Sequence, residues 1–408
     1  MTVEQGITPE AVVCGGGAAG LSSAAMLQKL GVQSLVLERS DQVGASWRAR
    51  YEGLRLNTLG WMSTQPGYHV GRRPRHFPSR EEWIQYLEDY ASTHGLRVQF
   101  GTEVEHLDRR GDGWRVTTSR GPVHARVVVI ATGYDRHPKT PSWPGRDTFT
   151  GELIHAASYR NASPYRARDV LVVSAGVTGS ELALFLAEGG AARVRVAVRT
   201  PPNVLRRCRL GIPLNPTAPI LDRLPSSVGD RAAALTQRVI FGDLSPYGLP
   251  RSPMGLMSTL RERRVGPAID DGFVDAVKER RIEIVAAVEG FDGPDVILAD
   301  GQRIQPDPVI AATGYERGLE PLVGHLGVLT ENGEPAVVRG KAHPIAPGLY
   351  FVGYTVRLSG PLRNIRIDAK RMAQAVARED RARFSARSGE SLSDCVRTSP
   401  RRKVPWAR

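Results

Sequence analysis

Two stretches of the chain share one rhythm of apolar and polar positions. Ala11–Cys14 is an unbroken apolar run; small residues follow to Gly20, then apolar residues at helical spacing over 21–30, then a second apolar run at Ser34–Leu37. Residues 169–200 repeat that order: DVLVV, a small-residue turn, ELALFLAE, and RVRVAV. Short apolar runs read as strands buried on both faces, and a 3.6-residue period reads as a helix covering them. Between the two repeats, Ser79 followed by Glu82 forms a capping-box pattern that opens a helix to about Thr93, with Trp83, Tyr86, Leu87 and Tyr90 on one face. Alternating segments at 98–109, 113–119 and 123–130 predict strands of a small antiparallel sheet. After the second repeat, 201–266 is proline-punctuated, with apolar helical pieces near Ile220 and over 232–241.

Each turn has the chemistry of a dinucleotide-binding site. Gly15, Gly17 and Gly20 spell G-x-G-x-x-G. The first glycine permits the tight turn, the second lets backbone approach a pyrophosphate, and the third seats the helix on the strand. Ala18 and Ala19 then open a helix whose free N–H groups face the phosphates. The following strand ends in Glu38 and Arg39, and a carboxylate there accepts hydrogen bonds from ribose hydroxyls. In the second repeat Ser174 takes the first glycine place, ahead of Gly176, Thr178, Gly179 and Ser180, and serine's reluctance to adopt positive φ predicts a somewhat different turn. Its second strand ends in Arg199 and Thr200, which suit a ribose 2′-phosphate. The predicted fold class is α/β, with two dinucleotide-binding, Rossmann-like three-layer domains. The first spans 9–160 and returns at 306–378; the second, 161–305, is inserted in it and carries the helical insertion 201–266; 379–408 is a basic, disordered tail.

Composition narrows the classes. The net charge is +13, but all but six of the 55 Lys and Arg are arginine and they are spread along the whole chain, so no stripe for nucleic acid is expected. No apolar run approaches the roughly 20 residues that span a bilayer, and the first nine residues lack the pattern of a signal peptide, so the expectation is a cytoplasmic protein. Cys14, Cys208 and Cys395 are too scattered for a disulfide framework or a metal cluster. No metal is expected, and a homodimer is open to the chain.

Further motifs make a resemblance specific. Gly44-Ala45-Ser46-Trp47-Arg48 resembles the G-G-T-W-R segment of the flavin-containing monooxygenases, and LRLNT at 54–58 resembles the stretch that brings an asparagine beside their flavin. Ala131-Thr132-Gly133 and Ala312-Thr313-Gly314 each follow an apolar strand, where a strand end approaches a cofactor or the chain crosses between domains. Phe149 to Arg160 matches the family signature F-x-G-x-x-x-H-x-x-x-[YF]-[KR] at every fixed position. GDLSPYGLPRSPMG at 242–255 is similar to a segment of the YUCCA-type branch.

The resemblance implies FAD at the first turn and NADPH at the second. It implies cofactor contacts from Ser46, Trp47, Arg48, Val104 through its backbone to the adenine, Gly353 and Asn364 as well as both A-T-G segments, with Asn57, His155 and Tyr159 as the catalytic candidates. Residues 364–377 are the expected closing helix, and Tyr354 stands where many relatives carry aspartate. The implied activity is insertion of one oxygen atom from dioxygen, through a flavin peroxide, into a small molecule. N- or S-oxidation and oxidative decarboxylation of a 2-oxo acid are the leading forms, because Tyr159 replaces the tryptophan usual in Baeyer–Villiger relatives. Baeyer–Villiger oxygenation of a ketone and an NADPH-dependent flavin reductase are the alternatives.

Overall fold

The computed structural model describes residues 9–69 and 75–388. Two five-stranded parallel sheets organise it. Across the first the strands run Leu349–Phe351, Val127–Ile130, Ala11–Cys14, Ser34–Leu37, Val98–Gln99. Across the second they run Leu153–His155, Val309–Ala311, Asp169–Val173, Arg193–Val198, Glu283–Ala286. Each sheet has its turn-bearing strand in the middle.

Side chains alternate across the central strands, as the period of two requires. In the first sheet Val13, Val36, Val127 and Val129 pack on the helices Ala18–Lys29 and Pro361–Ser388. Val12, Cys14, Leu37, Val128 and Ile130 face Trp114 and Val116 of an antiparallel sheet made of Val104–Arg110, Gly113–Thr118 and Val123–Ala125. The second sheet repeats the arrangement. Val170, Val172, Val194 and Val196 meet Leu182 and Leu186 of the helix Val177–Glu188, together with Phe273 and Val274. Leu171, Val173 and Val309 face Phe291, Val296 and Leu298 of a second antiparallel sheet, Val288–Asp292, Asp295–Leu298 and Arg303–Ile304. Both units are therefore three layers thick.

The capping box is present as expected. Ser79 Oγ accepts from the Glu82 N–H, Glu82 reaches back to the Ser79 N–H, and the helix runs Arg80–Thr93.

Several expectations are corrected by pairing that the local pattern does not contain. Leu153–His155 and Val309–Ala311 both lie in the second sheet, so that unit reaches beyond 161–305 at each end. The span 98–109 is divided: Val98–Gln99 is an edge strand of the first parallel sheet, and only Val104–Arg110 joins the antiparallel one. Within 123–130 the split falls at Arg126. The second antiparallel sheet was not anticipated. The closing helix is longer than 364–377 and enters the expected tail, reaching Ser388. There Glu379 accepts from the Tyr350 hydroxyl at 3.0 Å and Asp380 pairs with Arg126 at 2.5 Å. Residues 389–408 lie outside the described residues.

The two turns are built alike. Gly15 has φ +114° and a Cβ there would lie 2.5 Å from the Ala131 carbonyl oxygen; a Cβ on Gly20 would run into the Gly15 carbonyl. Ser174 has φ +91°, and a Cβ on Gly179 would run into the Ser174 carbonyl. The serine thus adopts the glycine conformation rather than changing the turn, at a cost of about 1–2 kcal/mol for an L-residue.

This asymmetry is testable. Gly15→Ser meets both strain and the Ala131 carbonyl, and is expected to lose about 2–4 kcal/mol. Ser174→Gly is expected to gain up to about 1 kcal/mol, since relief of strain is partly offset by glycine's greater unfolded-state freedom. Denaturant unfolding of the two variants beside the parent checks the sign of each.

Candidate active site

The first turn leaves its anion-binding groups free. Gly17 caps the helix Ala18–Lys29 in an extended conformation with no side-chain cap, no acidic residue stands in the first turn, and nothing lies within 4 Å of where a Gly17 Cβ would be. The orphan N–H groups and the positive end of the helix therefore face open space suited to a pyrophosphate. Glu38 sits beside them: Oε2 accepts from the Gly16 N–H at 2.5 Å, and Oε1 from the Ser40 N–H and Oγ at 2.9 and 2.8 Å. The backbone at Gly101 and Thr102 bonds back to Ser40 and Glu38, which brings buried Val104 to the same edge. Arg39 is exposed, 4.0 Å from Glu103.

Other predicted residues gather around that turn. Ala131 donates its N–H to the Cys14 carbonyl, and Gly133 has φ +95°. Thr132 Oγ1 lies 2.9 Å from the buried Tyr354 hydroxyl, whose pKa burial pushes up to about 12. A Cβ on Gly353 would sit 3.1 Å from Ala19 Cβ, so the last strand ends against the opening helix.

Some side chains are already engaged. Asn364 Nδ2 donates to the Gly360 carbonyl at 2.8 Å, stitching its own helix start. Trp47 meets Trp83 edge-on at 6.0 Å and Arg48 pairs with Glu88, so both anchor the short helix Ala45–Arg48 to the helix Arg80–Thr93, while Ser46 is exposed.

The second turn repeats the geometry around a different terminus. Gly176 caps its helix in the same extended conformation without a side-chain cap, and Ala312 donates its N–H to the Val173 carbonyl as Ala131 does to Cys14. Ala312-Thr313-Gly314 therefore belongs to this turn, correcting the expectation that it returns the chain to the first unit. Thr178 lies within the first helical turn, but Ser180 Oγ is spent on the Gly176 and Val177 carbonyls. Arg199 and Thr200 are exposed just past the strand Arg193–Val198, and Arg199 makes no ion pair among the described residues.

The signature 149–160 is a linker in which most fixed residues have a mechanical task. Phe149 packs on Phe291 with ring centroids 4.7 Å apart, and a Cβ on Gly151 would stand 2.6 Å from the Phe149 ring. His155 Nδ1 accepts the Ala157 N–H at 3.0 Å, so Nε2 carries the proton and donates to the Gly314 carbonyl at 3.1 Å. Burial holds its pKa below the usual histidine value. Both nitrogens are engaged by backbone, so His155 ties adjacent strands together here. Tyr159 is likewise core: it stacks on Tyr165 at 5.6 Å and meets Tyr51 edge-on at 6.1 Å. Arg160 donates to the Ala49 carbonyl at 2.7 Å. Antiparallel His137–Pro138 and Tyr315–Glu316 form the second connection between the units.

These ties hold a loop that leads to Asn57, where three parts of the chain meet. Asn57 Oδ1 accepts from Arg207 Nη2 at 2.8 Å, and its carbonyl accepts from Asn215 Nδ2 at 2.6 Å; both donors come from the insertion. Arg207 also pairs with Glu181 at 3.1 Å, on the helix of the second turn, and with Asp271 at 3.5 Å. The Tyr51 hydroxyl donates to the other Glu181 oxygen. Arg207 and Glu181 are only 6% and 8% exposed, and burial raises the Glu181 pKa against the lowering effects of Tyr51 and Arg207. Arg207 Nε and Asn215 Oδ1 are buried without a partner among the described residues. A donor and an acceptor are thus left unpaired beside Asn57. The insertion also grips the loop before the closing helix, where Asp222 accepts from the Leu358 and Ser359 N–H groups at 2.9 and 3.1 Å. Sequence reasoning found Asn57 but not Tyr51, Glu181 or Arg207; Glu181, a carboxylate one residue past the last turn position, was the available signal.

Comparison with known proteins agrees with this architecture. The model of the pyridine nucleotide-disulphide oxidoreductase family matches residues 12–226. The indole-3-pyruvate monooxygenase YUCCA1 of Oryza sativa subsp. japonica is 33% identical over 86% of this chain and 87% of its own. The probable indole-3-pyruvate monooxygenase YUCCA9 of Arabidopsis thaliana is 31% identical over 94% and 93%. Among solved structures, the flavin-containing monooxygenase of Stenotrophomonas maltophilia superposes with a TM-score of 0.67 at 22% identity over 92% and 99% of the two chains. Cyclohexanone monooxygenase with bound ε-caprolactone gives 0.70 at 22% over 93% and 88%. The described cysteines, Cys14 and Cys208, are both free.

The buried pair yields a prediction. Arg207→Ala leaves the Glu181 carboxylate without its cation, and is expected to cost about 3–5 kcal/mol near neutral pH. A carboxyl whose folded pKa is raised binds its proton more readily folded than unfolded, so the associated stability is present at low pH and lost as pH rises through the folded value. The variant's deficit relative to the parent should therefore be smaller at about pH 5 than at about pH 8, as read by urea unfolding at both.

Proposed function

Since this chain belongs to the flavin-dependent monooxygenases of the YUCCA type, we propose that it is an FAD- and NADPH-dependent enzyme that oxidatively decarboxylates a small, aromatic 2-oxo acid. The observation that carries the cofactor assignment is the pair of matched turns with opposite termini, one ending in Glu38 and the other in Arg199. Gly15, Gly17 and the opening N–H groups of Ala18 and Ala19 would hold the pyrophosphate of FAD, and Glu38, now bonded to Gly16 and Ser40, would accept from its ribose hydroxyls. Gly176, with the helix it opens, holds NADPH, and the free Arg199 with Thr200 receives the 2′-phosphate. FAD and NADPH held there would supply the hydride transfer and dioxygen activation that the reaction needs.

The chain's own residues do the positioning. Arg207 fixes the Asn57 amide by donating to Oδ1, and the Asn57 side chain also hydrogen-bonds the Glu181 carboxylate that Arg207 pairs with. The unpartnered Arg207 Nε–H supports an anionic substrate, because a carboxylate oxygen is the natural acceptor for a buried guanidinium donor. The insertion, held by Asp222 on one side and Arg207 and Asn215 on the other, covers this junction. The overall change places one oxygen atom in the shortened acid and the other in water, releases the carboxyl group as carbon dioxide, and oxidises one NADPH.

The test is product analysis on purified, FAD-loaded enzyme with NADPH and oxygen, offered aromatic 2-oxo acids such as indole-3-pyruvate alongside sulfides, amines and ketones. The expected product is the acid one carbon shorter, matched to NADPH consumed. A sulfoxide, N-oxide or ester as the only product would replace the substrate class, and hydrogen peroxide alone would reduce the protein to a flavin reductase.

Two variants test the residue roles. Arg199→Ala should raise KM for NADPH at least about tenfold while leaving KM for NADH within about twofold, and equal losses would remove the 2′-phosphate assignment. Asn57→Ala should leave the rate of flavin reduction near that of the parent but divert most NADPH to hydrogen peroxide, measured as the ratio of peroxide to product.

A further inference from the structure

A second cluster of chemistry-bearing side chains lies apart from both turns and from the Asn57 junction. His106 and Asp108 stand two residues apart on the strand Val104–Arg110, so both point away from the core that buried Leu107 enters between them. Pairing of this strand slips between Val104 and His106, an irregularity of the kind that re-aims side chains. His325 comes from the turn Gly324–Leu326, over two hundred residues later, which packs over the same strand.

We propose that His106, Asp108 and His325 form a binding site for one borderline divalent transition-metal ion, Zn2+ foremost. His106 Nε2 lies 3.3 Å and His325 Nε2 3.8 Å from Asp108 Oδ1, and the three ligand atoms all fall within 4.8 Å of one another. Ligand atoms around a tetrahedral Zn2+ with bonds of about 2.0–2.2 Å stand roughly 3.3–3.5 Å apart, so the cluster is already near the required spacing. His106 Nδ1 lies 3.1 Å from the Pro321 carbonyl oxygen. A carbonyl only accepts, so Nδ1 carries the proton and Nε2 turns its lone pair to the ion, the backbone partner serving as the outer support that metal-bound imidazoles use. The His106 and His325 rings stack 4.2 Å apart at 17°, and closing on an ion requires one of them to turn about its Cβ–Cγ bond. The three side chains are 39–49% exposed, which gives an ion an entry path and leaves a coordination position to water. Two imidazoles with one carboxylate select zinc and its neighbours over magnesium, which prefers oxygen donors. The ion would fasten the turn Gly324–Leu326 to the antiparallel layer of the first unit, stabilising the folded chain in proportion to its occupancy.

The experiment uses FAD-loaded protein freed of any affinity tag, stripped with a chelator and dialysed. Calorimetric titration with Zn2+ is expected to give one site per chain, and thermal unfolding is expected to shift upward with Zn2+ but not with Mg2+. Asp108→Asn and His325→Gln should each weaken binding at least about tenfold and abolish the shift. Their flavin spectra and metal-free unfolding temperatures should match the parent, because the side chains are exposed. His69→Gln, outside the cluster, should bind as the parent does. Absence of saturable Zn2+ binding, or binding unchanged in both ligand variants, would overturn the proposal. Neither result bears on the oxygenase reading, which uses none of these residues.

Discussion

Two backbone carbonyls stand where two methyl groups would otherwise be. The oxygens of Gly15 and Ser174 occupy the space of a Cβ on Gly20 and Gly179, and on that contact each helix rests directly against the strand that precedes it. The close approach aims the uncapped helix ends at the sheet edge, and it places Ala131 and Ala312 from the adjoining strands beside the same turns. Everything assigned to nucleotide binding follows from that seat. What distinguishes the two sites is added later in the chain, by a carboxylate at Glu38 and a guanidinium at Arg199.

The contacts between the units are of another kind. Apart from the apolar seat of Tyr51 and Leu54 against Tyr159 and Phe185, they are polar, partly charged and drawn from segments with little regular structure of their own: His155 to the Gly314 carbonyl, Arg160 to the Ala49 carbonyl, Arg50 to Asp135 and the Tyr315 hydroxyl, and the buried set of Tyr51, Glu181, Arg207 and Asn57. Directional bonds of this sort fix orientation more than they add stability. That suits a protein in which groups bound to separate units must meet in register. The signature that identifies the family by sequence is, in this molecule, chiefly the fastening between those units.

Legibility in the sequence followed locality. The strand, turn and helix repeats and the capping box at Ser79 are short-range patterns legible along the chain, although Ser174 keeps the glycine conformation and the insertion helix, Ser226–Phe241, begins well ahead of the pattern over 232–241. Sheet membership is not, because Leu153–His155 and Val309–Ala311 are three-residue runs that pair with each other across more than a third of the chain. His155 and Tyr159 carry side chains that often do chemistry, and only the structure shows their polar atoms tied to backbone or enclosed in a core. Arg207 was hidden among many arginines, and what marks it is burial. The grouping of His106 with His325 is invisible to any reading along the chain.

The edge strands give the two units unequal histories. The second sheet takes its outer strand, Leu153–His155, from ahead of its own turn, whereas the first takes Leu349–Phe351 from behind every other strand. On a ribosome the inserted unit thus has all five strands once residue 311 has been made, while the unit that begins the chain stays open along Val127–Ile130 until residue 351 emerges. An N-terminal fragment ending between those points would carry one finished unit and one with a bare, apolar sheet edge, the sort of surface that recruits other chains.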